Sequence, residues 1–324
     1  MDLDLRLVRY FVTLADELHF GRAASRLYVS QPALSKQIRK LENDVGGLLL
    51  VRDSRHVALT PRGERFLGDA RRLLAIAERM RRTPDPRSVR IAHIFELETC
   101  RLVADAFAGD FEDVRLVEHS MDSARQLDAL LAEQLDVAIL RLTPQMLAEH
   151  PTGWRRQLLR LEPMLLVGRA GDLPRDSASL HERPVEVFAD AAGSRMFNVH
   201  GEYLAAFERQ TLVPLRWLGN PGTFQHCLAG VSRGREPAFT LEFESYAHRY
   251  AEAGIPVHRP AELQPVYPWW VAWRAENPSR ATTDFVETAV QTSATRGWLQ
   301  PDAVGRAPMW LPSDDPALVE QRSA

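Results

Sequence analysis

Apolar residues in the first quarter of the chain recur at the three- and four-residue steps of amphipathic helices. One such stripe consists of Leu3, Leu7, Phe11, Leu14 and Leu18. A second stripe consists of Leu34, Ile38, Leu41 and Val45, and it is ended by Gly46 and Gly47. Between them, Gly21 opens a shorter segment in which Ala23 and Ala24 are small enough for a neighbouring helix to approach closely. The pattern predicts three helices joined by tight turns.

Residues that typically begin a helix or form a turn define the boundaries of these elements more closely. Ser30 is placed to cap the helix that carries the second stripe. Residues 48–60 contain two short extended runs, which predict a small hairpin or wing. Thr60 and Pro61 then supply an N-cap and a favourable first residue for a long helix that runs to about residue 82.

The long helix carries a heptad pattern. Its apolar positions are Phe66, Ala70, Leu73, Ala77 and Met80. Alternating steps of four and three residues, flanked by many arginines, are typical of a coiled-coil seam. We therefore expect the helices of two copies to pack together along these positions. The segment TPDPRS at 83–88 ends the helix and is predicted to be a hinge.

From residue 88 onward the pattern changes to strands that alternate with helices. The predicted strands are residues 89–94, 114–119, 135–140, 161–168, 184–189 and 267–273. The predicted helices are residues 96–108, 122–134 and 281–298. Such alternation indicates an α/β domain with a largely parallel sheet. Residues 300–324 are rich in Pro and Asp, and we expect them to form a loose tail.

Charge is distributed unevenly along the chain. Residues 1–82 contain 16 Lys and Arg against 10 Asp and Glu, a local charge of +6, whereas the remaining 242 residues carry −9. A basic segment beside an acidic body suits a nucleic-acid-binding module next to a separate domain.

The chain shows no apolar stretch typical of a secretion signal or a membrane span. Its two cysteines lack metal-ligand spacing, so a reduced, cytoplasmic compartment is expected. No nucleotide-binding glycine loop, nucleophile elbow or zinc motif occurs, and we therefore expect neither a cofactor nor a metal.

The outer face of the predicted helix at 31–45 carries residue types that can read DNA. They are Gln31, Pro32, Ser35, Lys36 and Arg39, with Lys40 and Asn43 at the edge. Amides and hydroxyls can bond to base edges, and cations can bind guanine or phosphate. A helix-turn-helix docks its second helix in the major groove with the N-terminal residues on the bases. The alternative is a solvated helix face, but the order of helix, turn, helix, hairpin and heptad helix favours DNA binding.

The run FGRAASRLYVSQPALSKQIRKLENDVGGLLLVRDSRHVALTPRGERFL, which starts at Phe20, resembles the N-terminal domain of the LysR-type transcriptional regulators. The shared features are the AA pair, SQPALS, the LE pair, a glycine-led hairpin and LTPRG. LLLV at 48–51 departs from the family, which usually has an aromatic residue before the hairpin arginine. The resemblance implies a winged helix-turn-helix over 1–60, a linker and dimerisation helix over 61–82 and a hinge over 83–88. The DNA-binding residues that it implies are Ser30, Gln31, Pro32, Ser35, Lys36, Arg39, Arg52, Arg55 and His56.

The rest of the chain resembles the effector domain of the same family. That domain is similar to a periplasmic binding protein, in which two α/β subdomains surround a cleft. The resemblance implies an effector domain over 89–299 and a tail over 300–324. Subdomain one would comprise about 89–160 and 266–299, and subdomain two about 161–265.

The effector residues implied by this resemblance are Glu96, Ser120, Arg141, Ser194 and Thr223. The family usually has Ser or Thr after the first strand, where it can bind an anionic effector at a helix N-terminus. Glu96 occupies that place here, and it either favours a cationic or neutral effector or only caps its helix. Arg141 matches a position that binds effector carboxylates in some members, and it can equally pair with Glu96.

The two cysteines allow two interpretations. One branch of the family senses oxidants, and Arg101 lies next to Cys100. Small buried cysteines are common, however, and neither residue has a basic neighbourhood that would lower its pKa. Placement of Cys100 and Cys227 in the core is therefore favoured.

These observations lead to the hypothesis of a transcriptional regulator without enzymatic activity. It would bind double-stranded DNA as a homodimer or homotetramer, respond to a small-molecule effector, and have RNA polymerase as a further candidate partner and no membrane association. Effector binding would shift the populations of two assemblies. Two alternatives stay open: a ligand-independent regulator that acts through oligomerisation, and an enzyme or solute-binding module fused to a DNA-binding head.

Overall fold

The computed structural model describes most of the chain in two compact units. The described residues are 3–52, 57–81, 85–94, 97–168, 180–181, 184–194, 197–220, 222–233, 239–276, 278–300 and 307–321. The first unit is formed by Met1–Pro84 and Ala132–Gln134, and the second by Asp85–Leu131 and Leu135–Ala324. None of the helices in the described ranges combines the length and the apolarity needed to span a bilayer.

The first unit consists of helices and one hairpin. Its described elements are α1 (Leu5–Glu17), α2 (Phe20–Arg26), α3 (Gln31–Asp44), β1 (Leu50–Arg52), β2 (Val57–Leu59) and α4 (Pro61–Arg81). The side chains of Asp4, His19 and Ser30 cap α1, α2 and α3 by accepting a first-turn amide hydrogen at 2.8, 3.2 and 3.3 Å. The predicted cap at Ser30 is confirmed.

The two predicted apolar stripes form the core of the first unit. Its fully buried members include Leu7, Phe11, Leu14, Leu34, Ile38 and Leu41. Ala23 and Ala24 are buried among them, as expected for a close helix approach. Burial of each large apolar side chain contributes about 1.5–3 kcal/mol. This core therefore determines which face of α3 remains at the surface.

The heptad stripe of α4 packs against the first unit itself. The ring of Phe66 meets the ring of Phe11 edge-on at 5.4 Å. Ala70 is buried in the same core, and Leu73 packs against it. Part of the heptad stripe therefore packs against α1 of the same unit, and the pairing of two copies along this helix stays a prediction. Ile76, outside the heptad set, is 44% exposed.

The second unit alternates strands and helices, as predicted. Its described elements are β3 (Ser88–His93), α5 (Glu98–Asp110), β4 (Arg115–Ser120), α6 (Ser123–Leu131), β5 (Val137–Leu140), α7 (Pro144–Glu149), β6 (Trp154–Gly168), β7 (Val185–Val187), α8 (Val199–Thr211), β8 (Leu215–Trp217), α9 (Phe224–Arg233), β9 (Phe239–Phe243), α10 (Glu244–Glu252), β10 (Val257–His258), β11 (Gln264–Arg274), α11 (Arg280–Thr295), β12 (Met309–Trp310) and α12 (Pro316–Gln321).

The strands follow the order β4-β3-β5-β11-β6-β9-β7-β8. Strand pairs β3–β4, β3–β5, β7–β8 and β7–β9 are parallel, whereas β6 and β11 pair antiparallel with each other and with their outer neighbours β9 and β5. The sheet is thus mixed, and along this strand order parallel pairing is confined to its two halves.

The two long strands β6 and β11 connect these halves. Residues 154–163 of β6 pair with β11, and residues 164–168 pair with β9. Each half has its own apolar clusters, so the unit consists of two α/β subdomains joined by crossing strands. The predicted α/β fold with two subdomains is confirmed.

The C-terminal segment is ordered over residues 307–321, and the prediction of a loose tail is wrong there. β12 pairs in parallel with the start of β11. The ring of Trp310 contacts those of Phe207 at 4.9 Å and Tyr203 at 5.5 Å. The side chain of Asp315 is fully buried against Arg141. Composition alone missed these long-range contacts, which hold the segment in place.

Candidate nucleic-acid interface and ligand cavity

The face of α3 opposite the core carries the predicted DNA-reading residues. Gln31, Pro32, Lys36 and Arg39 are exposed, and Ser35 is half-buried. The exposed Ser30 is engaged as the N-cap. The structure therefore groups these residues on one helical surface whose N-terminal turn is fixed by its cap.

A buried carboxylate joins the wing to α3. Glu42 lies on the inner side of α3, and its Oε1 accepts hydrogen bonds from the amides of Leu49 at 3.0 Å and Leu50 at 3.2 Å. Bonds to a charged acceptor are stronger than neutral ones. The LE pair of the sequence therefore has a structural role, which is to hold the first strand of the wing.

The wing residues are described only in part. β1 and β2 pair antiparallel, and Arg52 lies opposite Val57 at the tip of the described ladder. Arg55 and His56 lie outside the described residues. Their predicted contact with the DNA backbone stays a prediction, as does that of Arg52.

The LTPRG segment joins the wing to α4. The hydroxyl of Thr60 accepts a hydrogen bond from the Gly63 amide at 2.9 Å and donates one to the Leu48 carbonyl at 2.9 Å. The predicted cap at Thr60 is confirmed. A Cβ atom at Gly63 would lie 2.9 Å from the carbonyl carbon of Leu49 and closer still to its oxygen. Only glycine fits there without displacing the wing.

Tyr28 is a surface residue that sequence reasoning missed. It lies in the turn between α2 and α3, its φ is +55°, and it is 96% exposed. An exposed aromatic residue beside the reading face is a candidate contact for the DNA backbone, since a tyrosine hydroxyl can bond to phosphate. Its position outside the apolar stripes was the available signal.

A cavity of about 320 Å³ lies where the two subdomains of the second unit meet. The predicted residues Ser120, at the end of β4, and Thr223, before α9, both line it. Ile94 and Leu97 also line it and bracket Glu96 in the sequence, while Glu96 lies outside the described residues. The cavity is therefore the candidate ligand site.

Two predicted effector residues are not in the lining of this cavity. Arg141 is buried, and its Nη2 donates to Asp315 at 2.6 Å. Its guanidinium also lies over the rings of Tyr203 and Tyr267. Ser194 is exposed, and its hydroxyl donates to Asp190 at 3.4 Å. The structure thus places both side chains outside this cavity, and a role in effector binding stays a prediction for each.

Aromatic side chains form much of the cavity wall. They include Phe243, Tyr246, Tyr267 and Trp269. The ring of Tyr267 lies 5.1 Å from that of Phe243 and 4.9 Å from that of Trp269. The indole of Trp269 donates to the buried carboxylate of Glu162 at 2.7 Å, which fixes the orientation of the ring. The wall thus presents several aromatic faces beside polar residues such as Asn198 and Thr223.

Two titratable groups in the wall have shifted pKa values. Burial raises the pKa of Glu242 to about 7, although a hydrogen bond donated by the Tyr250 hydroxyl at 2.8 Å opposes the shift. Burial and then the charge of Arg141 lower the pKa of His200 to about 4. At neutral pH the imidazole is uncharged and Glu242 is close to half-ionised. Sequence reasoning missed both residues, which lie on elements it left unassigned.

Both cysteines are buried, as the core interpretation predicts. His93, Cys100 and Glu118 place one potential metal-binding atom each within 4.8 Å of one another. Burial, and then the charge of Glu118, raise the pKa of the Cys100 thiol. The thiol is therefore protonated at neutral pH, which disfavours both metal binding and oxidation.

Comparisons with known proteins agree with this architecture. Residues 5–64 match the family described as bacterial regulatory helix-turn-helix protein, lysR family. The chain is 39% identical over 175 residues to the uncharacterized HTH-type transcriptional regulator YnfL of Escherichia coli (strain K12), covering 50% of this chain and 58% of that protein. It is 32% identical over 160 residues to the HTH-type transcriptional regulator TfdT of Cupriavidus pinatubonensis (strain JMP 134 / LMG 1197), covering 47% and 69%.

These matches span little more than half the length of YnfL and about two thirds of TfdT. The structure of full-length CbnR, a LysR family transcriptional regulator, in complex with its target DNA has a TM-score of 0.56 to this chain. Identity is 24%, over 90% of this chain and 100% of that one, so the likeness concerns the fold. The relatives are named as regulators, in agreement with the prediction of a regulator rather than an enzyme. The chain belongs to the LysR family of bacterial regulatory helix-turn-helix proteins.

Proposed function

We propose that the protein is a DNA-binding transcriptional regulator whose action is modulated by a small molecule in the cavity between its subdomains. The observation that carries the proposal is the exposed face of α3, which presents Gln31, Lys36 and Arg39 beside a capped N-terminus. The related protein CbnR has been solved on its target DNA, which supports the same use of this fold. Because its target is DNA, we place the protein in the cytoplasm.

The proposed reading mode assigns separate roles to the residues on this face. Gln31 and Ser35 lie within the first five residues of α3, where side chains of a docked helix reach base edges. Lys36 and Arg39 bind phosphate or guanine, and Tyr28 and Arg52 contact the backbone.

The test is a comparison of specific and random DNA. Duplexes selected from a random library by the wild-type protein serve as the specific probe, and binding is measured by fluorescence anisotropy. Gln31→Ala should reduce discrimination by about 1–3 kcal/mol, whereas Lys36→Ala should weaken binding to both probes and lower the salt dependence. Gln37→Ala is the matched control, because Gln37 lies on another face of the same helix. If Gln31→Ala and Gln37→Ala bind alike, the reading face is wrongly assigned.

We further propose that two copies bind DNA together, pair into tetramers and contact RNA polymerase during activation. Since Leu73 packs into the core of its own unit, the exposed Ile76 on α4 is the better probe of self-association. Ile76→Asp should dissociate the dimer in light scattering without loss of helix content. Arg72→Asp, also at an exposed position of α4, is the control. An unchanged mass for Ile76→Asp would place the interface elsewhere.

A ligand in the cavity would act by preferring one arrangement of the subdomains. Binding shifts a two-state equilibrium only by the difference in affinity for the two states. Small-angle scattering of the full chain with and without ligand would measure that shift.

A further inference from the structure

The described lining of the cavity carries negative charge and no positive charge. Its acidic side chains are Glu242 and Asp122, of which Asp122 pairs with Arg125 at 3.3 Å. None of the lining residues that the structure describes is Lys or Arg. His200 also lines the cavity, but its lowered pKa of about 4 makes it neutral at pH 7. Arg141 is not part of the lining and is bonded to Asp315, although its guanidinium lies 5.0 Å from the centre of the Tyr267 ring, which belongs to the wall. A carboxylate ligand would therefore meet no cationic partner among these groups.

Helix N-termini could replace a cation in binding an anion. The N-terminus of α5 has no side-chain cap at Leu97, which lines the cavity, but its first turn carries the acidic Glu98. Three other helix N-termini at the cavity are already occupied. Asp122 accepts a hydrogen bond from an amide in the first turn of α6 at 3.0 Å. Asn198 accepts two such bonds at the start of α8, at 3.0 and 3.2 Å. The buried carboxylate of Glu162 accepts an amide of α10 at 2.8 Å. At these three helix N-termini an anion would have to displace the bound groups, two of which are themselves negative.

The aromatic wall favours a cation. The faces of Phe, Tyr and Trp attract positive charge within about 6 Å of the ring centre, by roughly 2 kcal/mol when water is excluded. The chain already shows this preference, because the guanidinium of Arg249 lies 3.7 Å from the centre of the Phe224 ring. Phe224 lines the same cavity.

We infer that the cavity binds a small organic cation, an amine or quaternary ammonium group on an apolar body, with Glu242 as its counter-ion. The inference rests on the proposed role of the cavity as the effector site and adds the chemical class of the ligand. A volume of about 320 Å³ is at the small end of the range for ligand sites and suits a single-ring amine.

The surroundings of Glu242 suit this role. Glu242 lies on β9, and its carboxylate accepts a hydrogen bond from the hydroxyl of Tyr250 on α10. A buried carboxylate is costly in the charged form unless an opposite charge lies nearby. A cation in the cavity supplies that charge, so its binding should draw Glu242 to the ionised form and release a proton.

Three ligands that differ mainly in charge test the inference on the full chain. Benzylamine, benzyl alcohol and benzoate share one ring and carry charges of +1, 0 and −1 at neutral pH. Calorimetric titration should show benzylamine binding at least tenfold more tightly than benzyl alcohol, and benzoate most weakly. Repeating the benzylamine titration in buffers of different ionisation enthalpy should show proton release.

Variants of the cavity provide the controls. Glu242→Gln keeps the shape of the side chain and should abolish the preference for benzylamine. Glu252→Gln, an exposed acid on the same helix as Tyr250, should retain it. Tyr246→Leu should weaken the binding of benzylamine more than that of benzyl alcohol. This variant provides the test of the aromatic wall if Glu242→Gln fails to fold.

Several outcomes would overturn the inference: benzoate binding most tightly, none of the three ligands binding, or an unchanged preference in both Glu242→Gln and Tyr246→Leu. The DNA assay on the same preparations separates the two proposals. Specific DNA binding without the benzylamine preference would reject the ligand class alone. Loss of sequence discrimination in the wild-type protein would reject the proposed function.

Discussion

Replacement of Asp315 by alanine should unfold the second unit at a markedly lower temperature. Asp315 and Arg141 form an ion pair at 2.6 Å whose side chains are 0% and 4% exposed. Asp315 also accepts the amide of Ala317 at 2.9 Å at the start of α12. The substitution leaves the Arg141 charge buried without its carboxylate and removes the anchor of the C-terminal segment.

The magnitude follows from burial. Removal of one member of a buried ion pair costs about 3–5 kcal/mol, because the remaining charge is uncompensated. The faces of Tyr203 and Tyr267, at 4.9 and 5.0 Å from the guanidinium carbon, retain part of its stabilisation. We therefore expect a loss of about 3 kcal/mol, which corresponds to a fall in Tm on the order of 10 °C for a unit of this size.

Urea and thermal unfolding of the full chain provide the measurement. Asp105→Ala is the matched control, since Asp105 pairs with Arg101 at 2.8 Å on the surface of α5, where both side chains are more than half exposed. That pair should contribute less than about 1 kcal/mol. Arg141→Met combined with Asp315→Leu should recover stability, because no charge then remains buried. Equal midpoints for Asp315→Ala and Asp105→Ala would refute the reasoning.

The remaining predictions concern the wing and the cavity. Gly63→Ala should destabilise the first unit by about 1–3 kcal/mol, since its Cβ overlaps the Leu49 carbonyl; a wild-type melting curve would contradict this. Glu42→Ala should lower the free energy of unfolding by about 1.5–3 kcal/mol per lost amide hydrogen bond and speed hydrogen exchange at Leu49 and Leu50. Unchanged protection of these two amides would show that Glu42 does not hold the wing. Glu242 has a pKa raised from 4.5 to about 7 in the folded state, so the folded chain holds a proton that the unfolded chain loses. The free energy of unfolding of the wild-type protein should therefore fall by up to about 3 kcal/mol between pH 4.5 and 7, relative to that of Glu242→Gln. Parallel pH profiles of stability for the two proteins would contradict this prediction.

The sequence by itself determined the local structure of the first unit. The apolar stripes, the caps at Ser30 and Thr60 and the hairpin all depend on residues within a few positions of one another. Such interactions leave a direct trace in spacing and residue type. The same reasoning found the outer face of α3, because the residues that do not belong to the buried stripe form that face.

Prediction was less complete where partners lie far apart in sequence. The heptad of α4 has the spacing of a dimer seam, yet Phe66 meets Phe11 of the same unit. Periodicity shows that a helix face is apolar, but it does not identify the surface that covers it. Only the packing of α1 against α4 decides that.

The cavity was the least predictable part. Arg141 was expected to meet Glu96 or an effector, but it meets Asp315, 174 residues later in the chain. Glu242 acquires its shifted pKa from burial between strands and helices that no local pattern revealed. The electrostatic energy of a charged side chain depends on its partner and on its burial, and both are decided only when the chain folds. For that reason the tertiary structure alone decided which charged groups belong to the ligand site and which to the core.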